Sequence, residues 1–175
     1  GVLSGDAFGL TAFGRQTVAE LERQGIVIDV SHASERLFED VASNTSRPFV
    51  ASHSNAKAVC GHARNLTDAQ FAEIRSRGGL VGLNFYKAFL NDAPEKAGID
   101  DLYAHAEHFL ALGGENVLAM GSDFDGSTMP RGITGLESVE AIAEVFLRRN
   151  LSESLVRRIF FENAASFFKR FDRAA

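Results

Sequence analysis

A chain of 175 residues, 45% apolar and 23% charged, has the size and make-up of one ordinary globular domain with a real core. Its net charge of −5, with no basic cluster, argues against a nucleic-acid partner. No apolar run approaches the roughly 20 residues of a membrane-spanning helix, and residues 1–13 lack the basic start and long apolar centre of a secretory signal.

The chain opens without Met on the loop-like Gly1-Val2-Leu3-Ser4-Gly5-Asp6, which raises the expectation of a missing upstream portion. Residues 11–24 then read as a helix with apolar Phe13, Val18 and Leu21, stopped by Gly25. The β-prone run Ile26-Val27-Ile28-Asp29-Val30 reads as the first strand and ends in Ser31-His32. Ser34 caps a second helix with Leu37, Phe38 and Val41 on its inner face. Residues 49–51 form a second strand, ending in Ser52-His53-Ser54. Thr67-Asp68-Ala69-Gln70 is a capping box, opening a helix with Phe71 and Ile74 inside and Gly78-Gly79 past its end. Residues 80–85 and 117–120 are further strands, separated by a helix over 100–112. Helices are expected over 138–149, 153–161 and 163–171, with Leu155, Val156, Ile159 and Phe160 on one face of the second.

Alternation of this kind implies a parallel sheet with right-handed crossovers. Two architectures fit: a small open doubly wound sheet, or half of an eight-fold βα barrel, four strands being too few to close one. Either way, chemistry belongs at the carboxyl ends of the strands. His32 and His53 end neighbouring strands there and form a candidate metal pair, since neutral imidazole suits zinc. The plainer alternative is two hydrogen-bonded histidines, and a third ligand has to come from elsewhere. Gly121-Ser122-Asp123-Phe124-Asp125-Gly126 follows the last strand, so Asp123 and Asp125 are candidates for ligand or proton carrier, with an Asx-type turn as the alternative. Arg64, in His62-Ala63-Arg64-Asn65, is shaped for a substrate carboxylate. His62, His105 and His108 read as surface or helix-face residues. The lone Cys60 excludes an internal disulfide, reads as a buried or half-buried thiol, and suits a reducing, cytoplasmic compartment. No phosphate loop, dinucleotide fingerprint or nucleophile elbow is present.

Six motifs together resemble the membrane (renal) dipeptidase family of dinuclear zinc peptidases. They are Gly9-Leu10-Thr11-x-Phe13-Gly14, Gly25-x-x-Ile28-Asp29-x-Ser31-His32, Ser52-His53-Ser54, Arg64-Asn65-Leu66-x-Asp68, Asn84-Phe85 and Gly121-Ser122-Asp123-Phe124-Asp125-Gly126. The resemblance implies a βα barrel that cleaves dipeptides by means of water activated at two zinc ions. It implies His32 and His53 as ligands of one zinc and Arg64 as the holder of the substrate carboxylate. Asp123, by the same match, lies at the substrate amino group and shuttles a proton, while Asp29 and Asp125 are motif companions without an assigned role. The family's His-x-Asp pair, bridging glutamate and additional histidine have no counterpart here: no His-x-Asp occurs, and Glu20 and Glu22 fall on the first helix.

The expected architecture is therefore the carboxyl-terminal half of a (β/α)8 barrel, one partial domain over residues 1–175 that carries part of the site. Its expected partners are a dipeptide substrate and, as an open option, a second copy of the chain. Two rival readings are an inactive truncated homologue acting as a binding or scaffold module, and a barrel amidohydrolase acting on a cyclic amide or nucleobase. An unpaired apolar edge at 26–30 leads to the expectation that the isolated chain self-associates.

Overall fold

The computed structural model describes residues 8–173, so the loop-like opening at residues 1–6 lies outside the described residues. Helix α1 (Ala12–Arg23) is followed by α2 (Glu35–Asn44), β1 (Val50–Ala51), α3 (Asp68–Ser76) and β2 (Leu80–Asn84). A short α4 (Lys87–Leu90), then α5 (Ile99–Ala111), β3 (Leu118–Ser122), α6 (Val139–Arg148), α7 (Glu153–Arg157) and α8 (Asn163–Arg173) complete the order. The three strands form a parallel sheet in the order β1-β2-β3.

The helix starts are built as their sequences require. Thr11, Ser34 and Thr67 each accept a backbone N–H three residues on, and Gln70 returns the bond at Thr67 to close the capping box. Phe38, Val41, Phe71, Ile74, Val156 and Ile159 all reach the core as expected. All five residues of β2 are buried, as suits a central parallel strand covered on both faces. Against expectation, Phe13 is 77% exposed; α1 buries only Val18.

The expected first strand is reduced to a single parallel bridge, Asp29↔Val50. Val30 N–H donates to Val50 O at 2.8 Å and Val50 N–H to Ile28 O at 3.0 Å. Among the described residues no partner lies on the other side, and Ile26 is 45% exposed. A strand is as much a property of its neighbours as of its own residues. The ladder therefore stops at one bridge, and the chain turns at Ser31-His32.

Two further differences concern helices. The break expected after residue 161 is absent: α7 widens into a π turn at Arg158–Glu162 and runs on into α8. Asn163 lies at that junction and donates to Glu115 O at 3.0 Å and Leu118 O at 2.8 Å, tying the helix to the start of β3. The four-residue α4, too short to show a period, contributes buried Phe89 and Leu90.

His105 is fully buried in the core, not at a surface or helix face. Its Nε2 donates to Leu90 O at 3.1 Å, which leaves Nδ1 to accept from Ala56 N–H, also at 3.1 Å. This neutral tautomer satisfies both ring nitrogens. Burial, which outweighs the neighbouring hydrogen bonds, holds its pKa down from 6.5 to about 4. The unfolded chain therefore binds a proton at His105 in a pH range where the folded chain does not, and stability falls as pH drops from 6.5 towards 4. At about 1.4 kcal/mol per pH unit, the full loss is about 3 kcal/mol. Urea unfolding at pH 7 and pH 4.5 is expected to show a loss of stability on acidification that is smaller in His105→Gln; an equal loss in the variant contradicts this assignment.

Candidate functional site

The site begins with strand register. Because Asp29 sits opposite Val50, His32 and His53, each three residues further on, emerge side by side. Their Nε2 atoms lie 3.0 Å apart, with ring centroids 5.1 Å apart and planes at 63°. The next strands continue the row, with Asn84 at the end of β2 opposite Ser122 at the end of β3. Asn84 Nδ2 donates to Asp123 Oδ2 at 3.1 Å and to His53 O at 3.4 Å, joining three strand ends.

Backbones converge closely beneath this row. A Cβ at Gly82 would stand 2.0 Å from Ser52 O, and one at Gly121 would stand 2.1 Å from the same atom. Only glycine permits that approach. The loop after β3 departs from ordinary backbone geometry, since Ser122, Asp123 and Asp125 have φ of 44°, 67° and 63°. Positive φ at non-glycine residues stores strain, and such strain concentrates at functional sites.

Under His53 lies a polar frame. The Asp29 carboxylate accepts Ser31 N–H at 3.0 Å, Ser31 Oγ at 2.7 Å, Ser52 N–H at 3.1 Å and, through its second oxygen, the Ser52 hydroxyl. Ser52 Oγ meets His53 Nδ1 at 2.8 Å, and His53 N–H donates to Ser31 Oγ at 3.0 Å. Burial pushes the Asp29 pKa up, but the hydrogen bonds from Ser52 and Ser31 together outweigh it and hold the carboxyl below its ordinary value. His32 is held below the usual imidazole value by burial first, then by the Arg64 and His53 charges, against the opposing pull of Asp123 and Asp29.

His32, Arg64 and Asp123 line one hollow of about 500 Å3, together with Tyr86, Phe89 and the loop 126–128. His53 reaches it through its contact with His32. Arg64 is anchored by Nε, which donates to Ser31 O at 2.8 Å, and its guanidinium lies 5.1 Å from the Phe89 ring centroid. Its Nη2 is buried and has no hydrogen-bond partner among the described residues. An unpaired buried guanidinium nitrogen is costly, and a carboxylate placed in the hollow would satisfy it.

Of the residues singled out in the sequence, His32, Arg64 and Asp123 share one hollow, and His53 stands against His32. Asp125 instead faces a neighbouring hollow with Phe124 and Met129. Cys60 is buried, with its thiol on Asp92 Oδ1 at 3.3 Å, and His108 pairs with Asp68 at 2.7 Å; neither joins the site. The reading of the residues assigned no role to Asn84, Tyr86 or Phe89. Asn84, the polar residue within the apolar 80–85 run and part of the Asn84-Phe85 motif, carried the available signal.

Zinc takes imidazole nitrogen at about 2.0–2.1 Å. Two Nε2 atoms 3.0 Å apart are therefore close enough to share one ion. The donors fit two corners of a metal centre. No group of three His, Cys, Asp or Glu gathers around any such point among the described residues, so the remaining corners are not supplied by them.

The fold and site define a parallel α/β protein with a paired-imidazole cleft at the carboxyl ends of its strands. The model of the membrane dipeptidase family, peptidase family M19, matches residues 3–175, and the chain belongs to that family. A metallopeptidase from Rhodobacter sphaeroides, solved with a phosphinate mimic of the dipeptide L-Ala-D-Ala, is 40% identical with a TM-score of 0.89, over 93% of this chain and 47% of that one. The crystal structure of the metallopeptidase dipeptidase AC is 41% identical with a TM-score of 0.89, over 93% of this chain and 49% of that one. An uncharacterised dipeptidase of Schizosaccharomyces pombe is 32% identical over 172 residues, which cover 95% of this chain and 41% of that one. The chain spans about half the length of these relatives.

Proposed function

We propose that this chain is the carboxyl-terminal half of a (β/α)8-barrel zinc dipeptidase and carries one side of its active site. The observation that carries the reading is the meeting of His32 Nε2 and His53 Nε2 at 3.0 Å beside a hollow that also holds Arg64 and Asp123. Membership of the membrane dipeptidase family supports it, as does the dipeptide mimic bound to the Rhodobacter sphaeroides relative. The half-barrel reading is supported, among the described residues, by the three-stranded sheet, by the 28–30 edge bonded on one side only, and by a ligand set that stops at two imidazoles.

In this reading His32 and His53 hold one of two zinc ions, and the remaining ligands come from the rest of the complete protein. Zinc, when bound, supplies Lewis acidity and lowers the pKa of water. The side chains described here bind and orient the substrate. Arg64 takes its carboxylate through the unpartnered Nη2, with the guanidinium fixed by Ser31 O and the Phe89 ring. Asp123, oriented by Asn84, receives the substrate amino group and carries a proton to the departing amine.

Removing a charge-assisted hydrogen bond costs about 1.5–3 kcal/mol, or roughly 10- to 150-fold. Arg64→Ala in the complete protein is expected to lower kcat/KM for dipeptides by that factor with zinc content unchanged. Wild-type kinetics in the variant would reject the carboxylate role. The half-barrel has its own consequence, because an apolar strand edge paired on one side only invites association. The isolated 175-residue chain is expected to sediment as heterogeneous oligomers, and a monodisperse monomer with a cooperative melt contradicts the half-barrel.

A further inference from the structure

Asp29 accepts from Ser31 and Ser52, the residues immediately before the two histidines, and the reading above gives it no task. Its surroundings are specific. One carboxylate oxygen accepts from Ser31 N–H, Ser31 Oγ and Ser52 N–H, and the other accepts from the Ser52 hydroxyl. Backbone N–H groups only donate, so the carboxylate acts here as an acceptor. Ser52 has one hydroxyl proton. With that proton directed at Asp29, Ser52 Oγ meets His53 Nδ1, 2.8 Å away, as an acceptor. Nδ1 of His53 must then carry the ring proton, and Nε2 keeps its lone pair. That lone pair faces His32 Nε2, 3.0 Å away, as an acceptor.

We propose that Asp29 is a positioning residue which, acting through the Ser52 hydroxyl, locks His53 in the Nδ1–H tautomer and presents Nε2 as a ready electron-pair donor. The carboxylate never touches the imidazole; the serine relays its demand. The same carboxylate ties the turn bearing His32 to the end of β1 bearing His53, since Ser31 and Ser52 flank the two histidines and both donate to it. Orientation of this kind raises the affinity of a histidine for metal, and losing it costs roughly 10- to 100-fold. The tautomer half of the inference stands without any metal; the affinity half rests on the dipeptidase reading of His53 as a ligand.

The test is long-range 1H–15N correlation of the histidine rings in the metal-free full chain, at a pH where His53 is neutral. Wild-type His53 is expected to show a protonated Nδ1 and a bare Nε2. Ser52→Ala removes the acceptor and is expected to move the ring towards the Nε2–H form, whereas Ser52→Thr retains the hydroxyl and is expected to restore the wild-type pattern. Asp29→Asn removes the carboxylate's demand for the Ser52 proton and is expected to move the ring the same way, whereas a merely structural role for Asp29 would leave the His53 tautomer of that folded variant unchanged. Chelator competition on wild type and the two Ser52 variants is expected to give zinc affinity roughly 10- to 100-fold weaker for Ser52→Ala and near wild type for Ser52→Thr. An Nε2–H ring in wild-type His53 overturns the inference even where Ser52→Ala fails to fold. So does an unchanged tautomer in folded Ser52→Ala. A complete protein that cleaves no dipeptide while His53 shows these tautomers would instead sink the dipeptidase reading and leave the relay standing.

Discussion

Two backbone hydrogen bonds govern the geometry of this cleft. Val30 N–H to Val50 O, and Val50 N–H to Ile28 O, set the 26–32 segment against β1 in parallel register. In that register His32 and His53 stand level, and a shift of one residue would turn one of them to the opposite face of the sheet. The bonds are few, so the polar frame has to reinforce them. Asp29 does so by accepting from both serines that precede the histidines, which clamps the two strand ends together where the ladder stops.

The opposite side of the cleft is held by different physics. Gly82 and Gly121 let three backbones crowd around Ser52 O, which brings Asn84 and Asp123 within hydrogen-bonding distance. The positive φ values at Ser122, Asp123 and Asp125 cost free energy that the surrounding packing has to offset. Phe85, fully buried, meets Phe124 edge to face at 5.6 Å and so anchors the strained loop to the end of β2. The hollow is thus shaped on one side by hydrogen bonds and on the other by close packing. Arg64 is drawn into it by a backbone carbonyl and an aromatic ring while its Nη2 stays unsatisfied among the described residues.

Much of this was legible in the sequence because the relevant signals are local. Capping residues at Thr11, Ser34 and Thr67 name their helix starts, and apolar runs at 80–85 and 117–120 name buried strands. Histidines just after the 26–30 and 49–51 runs mark the carboxyl end of the sheet, where the two rings meet. What stayed hidden depends on distant partners. The 26–30 run has every strand-forming residue and still makes one bridge, because pairing is decided by what lies alongside. His105 is a polar residue on α5, and what makes its burial tolerable lies at Ala56 and Leu90, 49 and 15 residues away. Ser31 and Ser52 stood in the two histidine motifs without a role of their own, and only their shared carboxylate reveals a frame. A four-residue helix such as α4 leaves no periodicity to read, yet it delivers the Phe89 ring to the hollow.

The central claim is that two imidazoles on adjacent parallel segments grip one cation. Zinc K-edge X-ray absorption on the chain loaded with one equivalent of zinc tests it most directly. Two imidazole nitrogens at about 2.0–2.1 Å are predicted, with the histidine scattering reduced to a single ring in His53→Ala. A spectrum without imidazole ligands, or one that His53→Ala leaves unchanged, would contradict the account.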